Sequence, residues 1–211
     1  MYSKTRSSVK VNIVLSNWFE AECGVRQGDV LSPTLFNIFI NDLSTELKSL
    51  GIGTILGDDT ISYLIYAENL TLIAEKDNDL QTPINCVENW CNKWRMNVNY
   101  LKSKVVHFRK IRVPLTKYIF TLHNNNIEIV HTYKYLGLVF DDHLNFQAGI
   151  NELCSKAGRA LGACISKFRA LKDVGFITYS KLFECTVTPV SDYFAGVWGY
   201  TKSDECNKLQ N

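Results

Sequence analysis

No stretch of this sequence approaches the ~18 consecutive apolar residues that a membrane span requires, and Met1-Tyr-Ser-Lys-Thr-Arg6 lacks the apolar core of a secretory leader. Both absences lead to the expectation of a nuclear or cytoplasmic protein with no membrane partner. No internal repeat or low-complexity segment is present either, which excludes solenoids and linker-like tails. Cysteine-metal patterning is also missing. Cys86 and Cys91 lie roughly 140° apart around a helix, with no histidine nearby. The seven cysteines, at Cys23, Cys86, Cys91, Cys154, Cys164, Cys185 and Cys206, are an odd number. Reduced, mostly buried thiols are expected.

What is present is apolar material for a sizeable core: 46% of the 211 residues are hydrophobic and 12% aromatic. Charge is divided unevenly. Residues 1–92 hold 6 Lys and Arg against 12 Asp and Glu, whereas residues 93–211 hold 17 against 9. Between Lys93 and Lys117 there are eight basic residues and no acid, interleaved with Trp94, Tyr100, His107 and Phe108. A solvated basic face is the plain reading of such a run, but its interleaved aromatics and its place beyond the hairpin at residues 61–74 favour a phosphate-tracking groove.

The densest local signal is Gly24-Val-Arg-Gln-Gly-Asp-Val-Leu-Ser-Pro33. Gly24 and Gly28 bracket Arg26 and Gln27, so the backbone can pass close to a ligand. Ser32 is expected as a helix N-cap with Pro33 in the first helical position. Leu35, Phe36, Phe39, Leu43 and Leu47 then recur at helical spacing, and Gly51 marks the stop. A second signal follows. Ile61–Tyr66 and Leu70–Ala74 read as strands joined by Ala67-Glu68-Asn69, which places a carboxylate and an amide at a hairpin tip.

The remaining pattern is α+β. Strands at Val11–Leu15 and Trp18–Glu22 are expected to turn at Asn17. A helix over Asp79–Met96 carries Leu80, Ile84, Val87, Cys91 and Trp94 on one stripe, with Pro83 in its first turn. Val105–Phe108 reads as a strand. Tyr118–Leu122 and Ile127–Val130 are expected to pair around Asn124-Asn125-Asn126, and a Tyr133–Phe140 strand follows. Ile150, Leu153, Ala157, Leu161, Cys164, Phe168 and Leu171 define a long helix, with Lys156, Arg159 and Lys167 on another face. His143–Gln147 is the nearest thing to a boundary.

The loop-helix Gly24–Leu43 and the hairpin Tyr66–Asn69 resemble the palm of a reverse transcriptase of the non-LTR (LINE-type) retrotransposon group. Trp90–Asn99, Lys102–Phe108, the primer-grip-like Tyr133-Lys-Tyr-Leu-Gly-Leu138, Ala157–Gly162 and Pro189–Trp198 follow in the family's order. The resemblance implies a partial polymerase palm over residues 1–142, an antiparallel sheet packed on helices that includes the primer-grip-like hairpin, and a helical thumb-like region over 143–211. It implies RNA-directed DNA polymerase (nucleotidyltransferase) chemistry with an RNA template, a DNA primer, deoxynucleotides and Mg²⁺.

It also assigns positions. Glu68 and Asn69 stand where the family carries two catalytic, metal-binding aspartates, so Glu68 is the remaining metal ligand. Lys102 matches the lysine proposed to protonate pyrophosphate, and a solvated surface lysine fits equally. Gln27 and Gly28 match the nucleotide pocket. Arg26 beside them faces template or nucleotide, or pairs with Asp29. Ser32 and Pro33 match a template-contacting turn, which a helix-start role also explains. Tyr135, Leu136 and Gly137 match the primer grip, or form an ordinary strand pair. Asp58-Asp59 and Asp141-Asp142 read as polar turns rather than substitute ligands.

Two departures bear on activity. Glu68 adds a methylene and Asn69 drops a charge, while the family's earlier aspartate-bearing strand and fingers have no counterpart in the residues before Cys23. Mg²⁺ tolerates little displacement of its oxygen ligands, and a misplacement of roughly 1 Å can lower a rate ~100-fold. The expectation is a degenerate active site that does not polymerise alone. Other readings of the same residues are a non-enzymatic nucleic-acid-binding remnant and an incomplete gene product without a selected function.

Overall fold

A computed structural model describes residues 6–20, 24–170 and 175–199. They divide into two compact units. Of the described residues, one comprises 6–20, 24–98 and 121–125, and the other 99–120, 126–170 and 175–199. The architecture is mixed α+β, as expected, with helices concentrated towards the C-terminus. The strands run for two to four residues, and every sheet among the described residues is a two-stranded pair. The described strands therefore form separate pairs rather than the one antiparallel sheet that the resemblance implies.

In the first unit, β1 (Arg6–Ser7), β2 (Lys10–Val11), β3 (Val14–Leu15) and β4 (Phe19–Glu20) nest as β2 on β3 and β1 on β4, both antiparallel. The chain reverses at Asn12-Ile13 and not at Asn17. Asn12 takes the left-handed conformation (φ 56°) that asparagine tolerates, while the Asn17 carbonyl accepts from Ser16 Oγ. Ile13, Val14 and Trp18 remain exposed.

Helix α1 (Ser32–Ser49) ends as the sequence predicts, with Gly51 at φ 63° donating to the Lys48 carbonyl. Its start differs. Leu31 already has helical dihedrals, and the amides of Leu31 and Ser32 are met by Asp29 Oδ1 (2.9 Å) and the Asp29 carbonyl (3.2 Å). Ser32 is therefore not the cap. It is buried, and its hydroxyl donates to the Arg26 carbonyl at 2.5 Å.

Strands β5 (Thr54–Leu56) and β6 (Asp59–Ile61) form a hairpin around Gly57-Asp58. Ile61 is thereby claimed by β6, and β7 (Tyr63–Tyr66) begins two residues later to pair with β8 (Asn69–Leu72). Helix α2 (Asp77–Trp94) begins two residues earlier than the periodicity indicates, because Asp77 and Asp79 both favour the positive end of the helix. Pro83 consequently lies inside the helix, beyond the first turn, where it removes the bond to the Asp79 carbonyl. Ile84, Val87, Trp90 and Cys91 are buried, and Trp94 is exposed. Leu43 and Leu47 of α1 pack on Val87, Trp90 and Cys91 of α2, with Phe39, Tyr63, Leu70 and Leu72 around them.

The strand expected over Val105–Phe108 shrinks to β9 (Lys104–Val105). Next, β10 (Thr121–Leu122) and β11 (Asn125–Asn126) flank His123 and Asn124, which both have positive φ (49° and 59°). The reversal therefore falls one residue before the predicted triplet. Ile127 N–H still donates to the Phe120 carbonyl (2.8 Å), but β12 (Glu128–Ile129) takes β9 as its ladder partner, in parallel.

The Tyr133–Phe140 segment, one strand by its alternation but a hairpin by resemblance, is a hairpin of β13 (Thr132–Tyr135) on β14 (Leu138–Asp141). Helix α3 (Gln147–Ala170) realises the predicted long helix, with Ile150 and Leu153 fully buried. Leu171 lies outside the described residues. Helices α4 (Phe176–Thr186), α5 (Thr188–Ser191) and α6 (Ala195–Trp198) follow. The second core joins Leu138, Phe146, Ile150, Leu153 and Trp198.

Among the described cysteines only Cys91 is buried. Cys86, Cys154 and Cys164 are half-buried and Cys185 is exposed. The expectation of mostly buried thiols fails because α4 buries no residue and Cys164 lies beyond the part of α3 that enters the core. Burial raises the pKa of the Cys91 thiol, and burial together with the neighbouring Glu46 carboxylate raises that of Cys86.

Candidate functional site

Gly24 and Gly28 adopt φ of 91° and 82°, and an added Cβ at either would point into open space. Glycine is needed there for the backbone conformation. Arg26, Gln27 and Gly28 are exposed. The loop is braced from inside by the Arg26 carbonyl, which accepts from Ser32 Oγ (2.5 Å) and the Asp29 amide (3.3 Å). Ser32 is thus turned inward, while Pro33 is exposed in the first turn of α1.

In the β7–β8 hairpin, Tyr66 pairs with Asn69, and Ala67-Glu68 forms the two-residue turn with Ala67 at φ 48°. Glu68 and Asn69 are adjacent and exposed at this tip. A two-metal centre draws on several anionic oxygens at fixed positions. The tip offers one carboxylate and one amide. Among the described residues no three His, Cys, Asp or Glu side chains gather at metal-binding distance. This donor set does not fit a two-metal centre by itself.

In the second unit, Lys102 is exposed. Its amide donates to the Asn99 carbonyl (3.1 Å), and its carbonyl accepts from Tyr133 Oη (3.3 Å). Tyr135, Leu136 and Gly137 form the β13–β14 corner, with Leu136 and Gly137 both at positive φ (46° and 90°). Such a turn matches the twist of a hairpin. Tyr193 covers it. Its hydroxyl donates to the Leu136 carbonyl at 2.6 Å, and its ring would stand 3.1 Å from a Cβ on residue 137.

The basic run does not survive as eight free cations. Lys93 pairs with Asp42 and Glu46 (4.0 and 3.8 Å), Lys104 with Glu128 (2.7 Å), and Arg109 with Asp142 (2.9 Å). The segment itself has no acid, but folding delivers acids to it from distant positions. Arg95, Lys102, Lys110, Arg112 and Lys117 make no ion pair among the described residues. On α3, Lys156 pairs with Glu152 (3.1 Å), which also binds Lys134, and Arg159 and Lys167 are exposed. The hydrogen bond from Lys134 and then that from Lys156 hold the Glu152 carboxyl below its ordinary range, and the same bond raises Lys134.

Two charged centres were not found by sequence reasoning. Asp42 accepts the indole N–H groups of Trp90 (2.7 Å) and Trp94 (3.0 Å). Burial works against its charge, but those two bonds, the Leu43 amide and Lys93 outweigh it and lower its pKa. Asp142 is buried, contrary to the polar-turn expectation. His131 Nδ1 and Arg109 Nη2 both donate to its Oδ2, at 2.7 and 2.9 Å, and His143 Nε2 lies 3.6 Å from Oδ1. The His131 bond, against the penalty of burial and with His143 and Arg109 assisting, lowers the Asp142 pKa. Arg109 Nε and His123 Nε2 are buried without a hydrogen-bond partner. The only sequence clue to Asp42 was its place one residue before Leu43 on the α1 stripe, and to Asp142 its place just past an aromatic strand.

Residues 2–140 match the family model described as reverse transcriptase (RNA-dependent DNA polymerase). The chain is 26% identical over 195 residues to the RNA-directed DNA polymerase from mobile element jockey of Drosophila funebris, covering 90% of this chain and 21% of that protein. It is 29% identical over 160 residues to the retrovirus-related Pol polyprotein from type-1 retrotransposable element R2 of Nasonia vitripennis, covering 72% and 15%. It is 20% identical over 210 residues to the probable RNA-directed DNA polymerase from transposon X-element of Drosophila melanogaster, covering 97% and 22%. The chain spans about a fifth or less of the length of these relatives.

Proposed function

Because this chain belongs to the reverse transcriptase (RNA-dependent DNA polymerase) family, we propose that it is a reverse-transcriptase-like segment of non-LTR retrotransposon type that holds nucleic acid but does not extend a primer unaided. Residues 1–142 are read as palm, with the primer-grip-like corner at Tyr135–Gly137, and residues 143–211 as thumb-like. Gln27 and Gly28, with Arg26 beside them, would line the deoxynucleotide pocket, and Pro33 the template side. Lys102 would face pyrophosphate. Glu68 is the tip residue that would contact the Mg²⁺ the family implies, which would supply Lewis-acid stabilisation of the attacking and leaving oxygens.

The observation that carries the reading is the hairpin tip, where Glu68 is the one carboxylate and Asn69 an amide. Retention of nucleic acid is supported by exposed cations of the second unit, among them Lys110, Arg112, Lys117, Arg159 and Lys167. If about five such cations meet phosphates, log affinity falls against log salt with a slope of roughly −4. Titrating a labelled RNA-template/DNA-primer duplex at several salt concentrations tests this. A flat response, or no binding at low salt, would mark these cations as a merely solvated face.

A further inference from the structure

We propose that the cleft between residues 108–113 and residues 141–145 is a subsite for an unpaired base of single-stranded nucleic acid, with the adjoining phosphates on Lys110 and Arg112. The proposal rests on the nucleic-acid reading above and deepens it. The cleft is open to solvent, has a volume of about 930 Å³ and lies entirely within the second unit.

Its shape is held by a clasp centred on Arg109. The Arg109 amide donates to the Asp142 carbonyl (2.9 Å), and Nη2 donates to Asp142 Oδ2 (2.9 Å). Nη1 reaches forward to the Val113 carbonyl (2.9 Å), while the Val113 amide donates to the Lys110 carbonyl (2.9 Å). His143 Nδ1 donates to the Arg109 carbonyl (2.8 Å), fixing the opposite wall. The loop is thereby closed on itself and pinned to β14, although it has no regular secondary structure.

Such bracing leaves an unusual surface. Ile111 is 81% exposed and Phe108 52%, and Leu144 faces them from the other wall at 52%. Lys110 and Arg112 stand exposed beside them, without an ion pair among the described residues. Of the two acids in the cleft, Asp142 is bound by Arg109 and His131, and Asp141 Oδ1 accepts the amides of His143 (2.9 Å) and Asn145 (2.7 Å), which orient its carboxylate without neutralising it. Arg109, Lys110 and Arg112 outnumber these two carboxylates in the lining, so the site pairs an apolar, partly aromatic wall with net positive charge.

A duplex satisfies only half of that surface. Its phosphates can meet Lys110 and Arg112, but its base faces are stacked away and gain nothing from Phe108 or Ile111. An unpaired strand presents both a π-face and a phosphate within one nucleotide. Charge complementarity and the exposed apolar wall together select the single strand.

The test uses the full 211-residue chain and fluorescence anisotropy with oligouridylate and oligothymidylate of about 12 nucleotides, beside a blunt RNA–DNA duplex of the same length. The variant is Phe108→Ser with Ile111→Ser, two exposed side chains outside both cores, with thermal melting to confirm the fold. Lost stacking should weaken single-strand binding about tenfold while duplex binding changes less than about twofold. A charge arm, Arg112→Glu, should weaken both. Equal loss on strand and duplex, or no loss on either, overturns the subsite and leaves the duplex-binding reading standing. If the unaltered chain binds neither strand nor duplex at low salt, both readings fall.

Discussion

The indole N–H of Trp90 donates to Oδ1 of Asp42 at 2.7 Å, joining helices α2 and α1 at the edge of the first core. Trp94 donates to the other oxygen, and Phe39 meets both indoles edge-on at centroid distances of 5.4 and 5.2 Å. Trp90 is buried, so Trp90→Phe removes a donor to the Asp42 carboxylate and leaves space in the ring plane. The expected loss of unfolding free energy is about 2–3 kcal/mol. Trp94→Phe, at an exposed position with the same partner, should lose under about 1 kcal/mol. Urea denaturation of the two variants checks the ordering, and equal losses would contradict it.

Asp142 makes acid sensitivity predictable. Its folded pKa lies below the unfolded value of about 3.9. Its contribution is therefore fully present above the unfolded pKa and is lost as pH falls through the folded pKa. Asp142→Asn should melt at lower temperature than the parent chain at neutral pH. The gap should close as pH falls from about 5 through the folded pKa. Melting curves below about pH 5 give the answer, and a gap that widens there would reverse the assigned sign.

How far the sequence disclosed these features follows from the range of the interactions involved. Helix α1, the tip Tyr66–Asn69 and the long helix α3 are legible because periodicity, glycine stops and a short polar turn act within a few residues. The β13–β14 corner is legible as a motif, whereas the alternation of Tyr133–Phe140 alone predicts a single strand. Tyr135-Leu-Gly137 is too short a turn to interrupt an aromatic alternation. Asn12 and Asn17 were equivalent by composition, and only the pairing of Val11 with Val14 decides between them. Asp42 with Trp90, and Asp142 with Arg109 and His131, depend on residues brought from distant segments, which no local pattern encodes. The parallel pairing of β9 with β12 is of the same kind.

At the hairpin, Glu68→Asp with Asn69→Asp restores two short carboxylates on the turn. The double variant should bind Mn²⁺ at least about tenfold more tightly than the parent chain, because added anionic oxygens dominate hard-cation affinity. Calorimetric titration reads this directly. Unchanged affinity would mean that Tyr66–Asn69 does not serve as the metal-holding turn.

The central claim is that this member of the reverse transcriptase family retains nucleic acid without extending a primer. Primer extension tests it most directly, using the full chain with an annealed RNA template and DNA primer, four deoxynucleotides, and Mg²⁺ or Mn²⁺. A complete relative serves as positive control, and a mobility shift is read from the same reactions. The account predicts a retarded primer–template complex whose primer stays at its starting length. Template-dependent lengthening above the no-protein control would contradict it, and would mean that Glu68 and Asn69 suffice at the tip where two aspartates were expected.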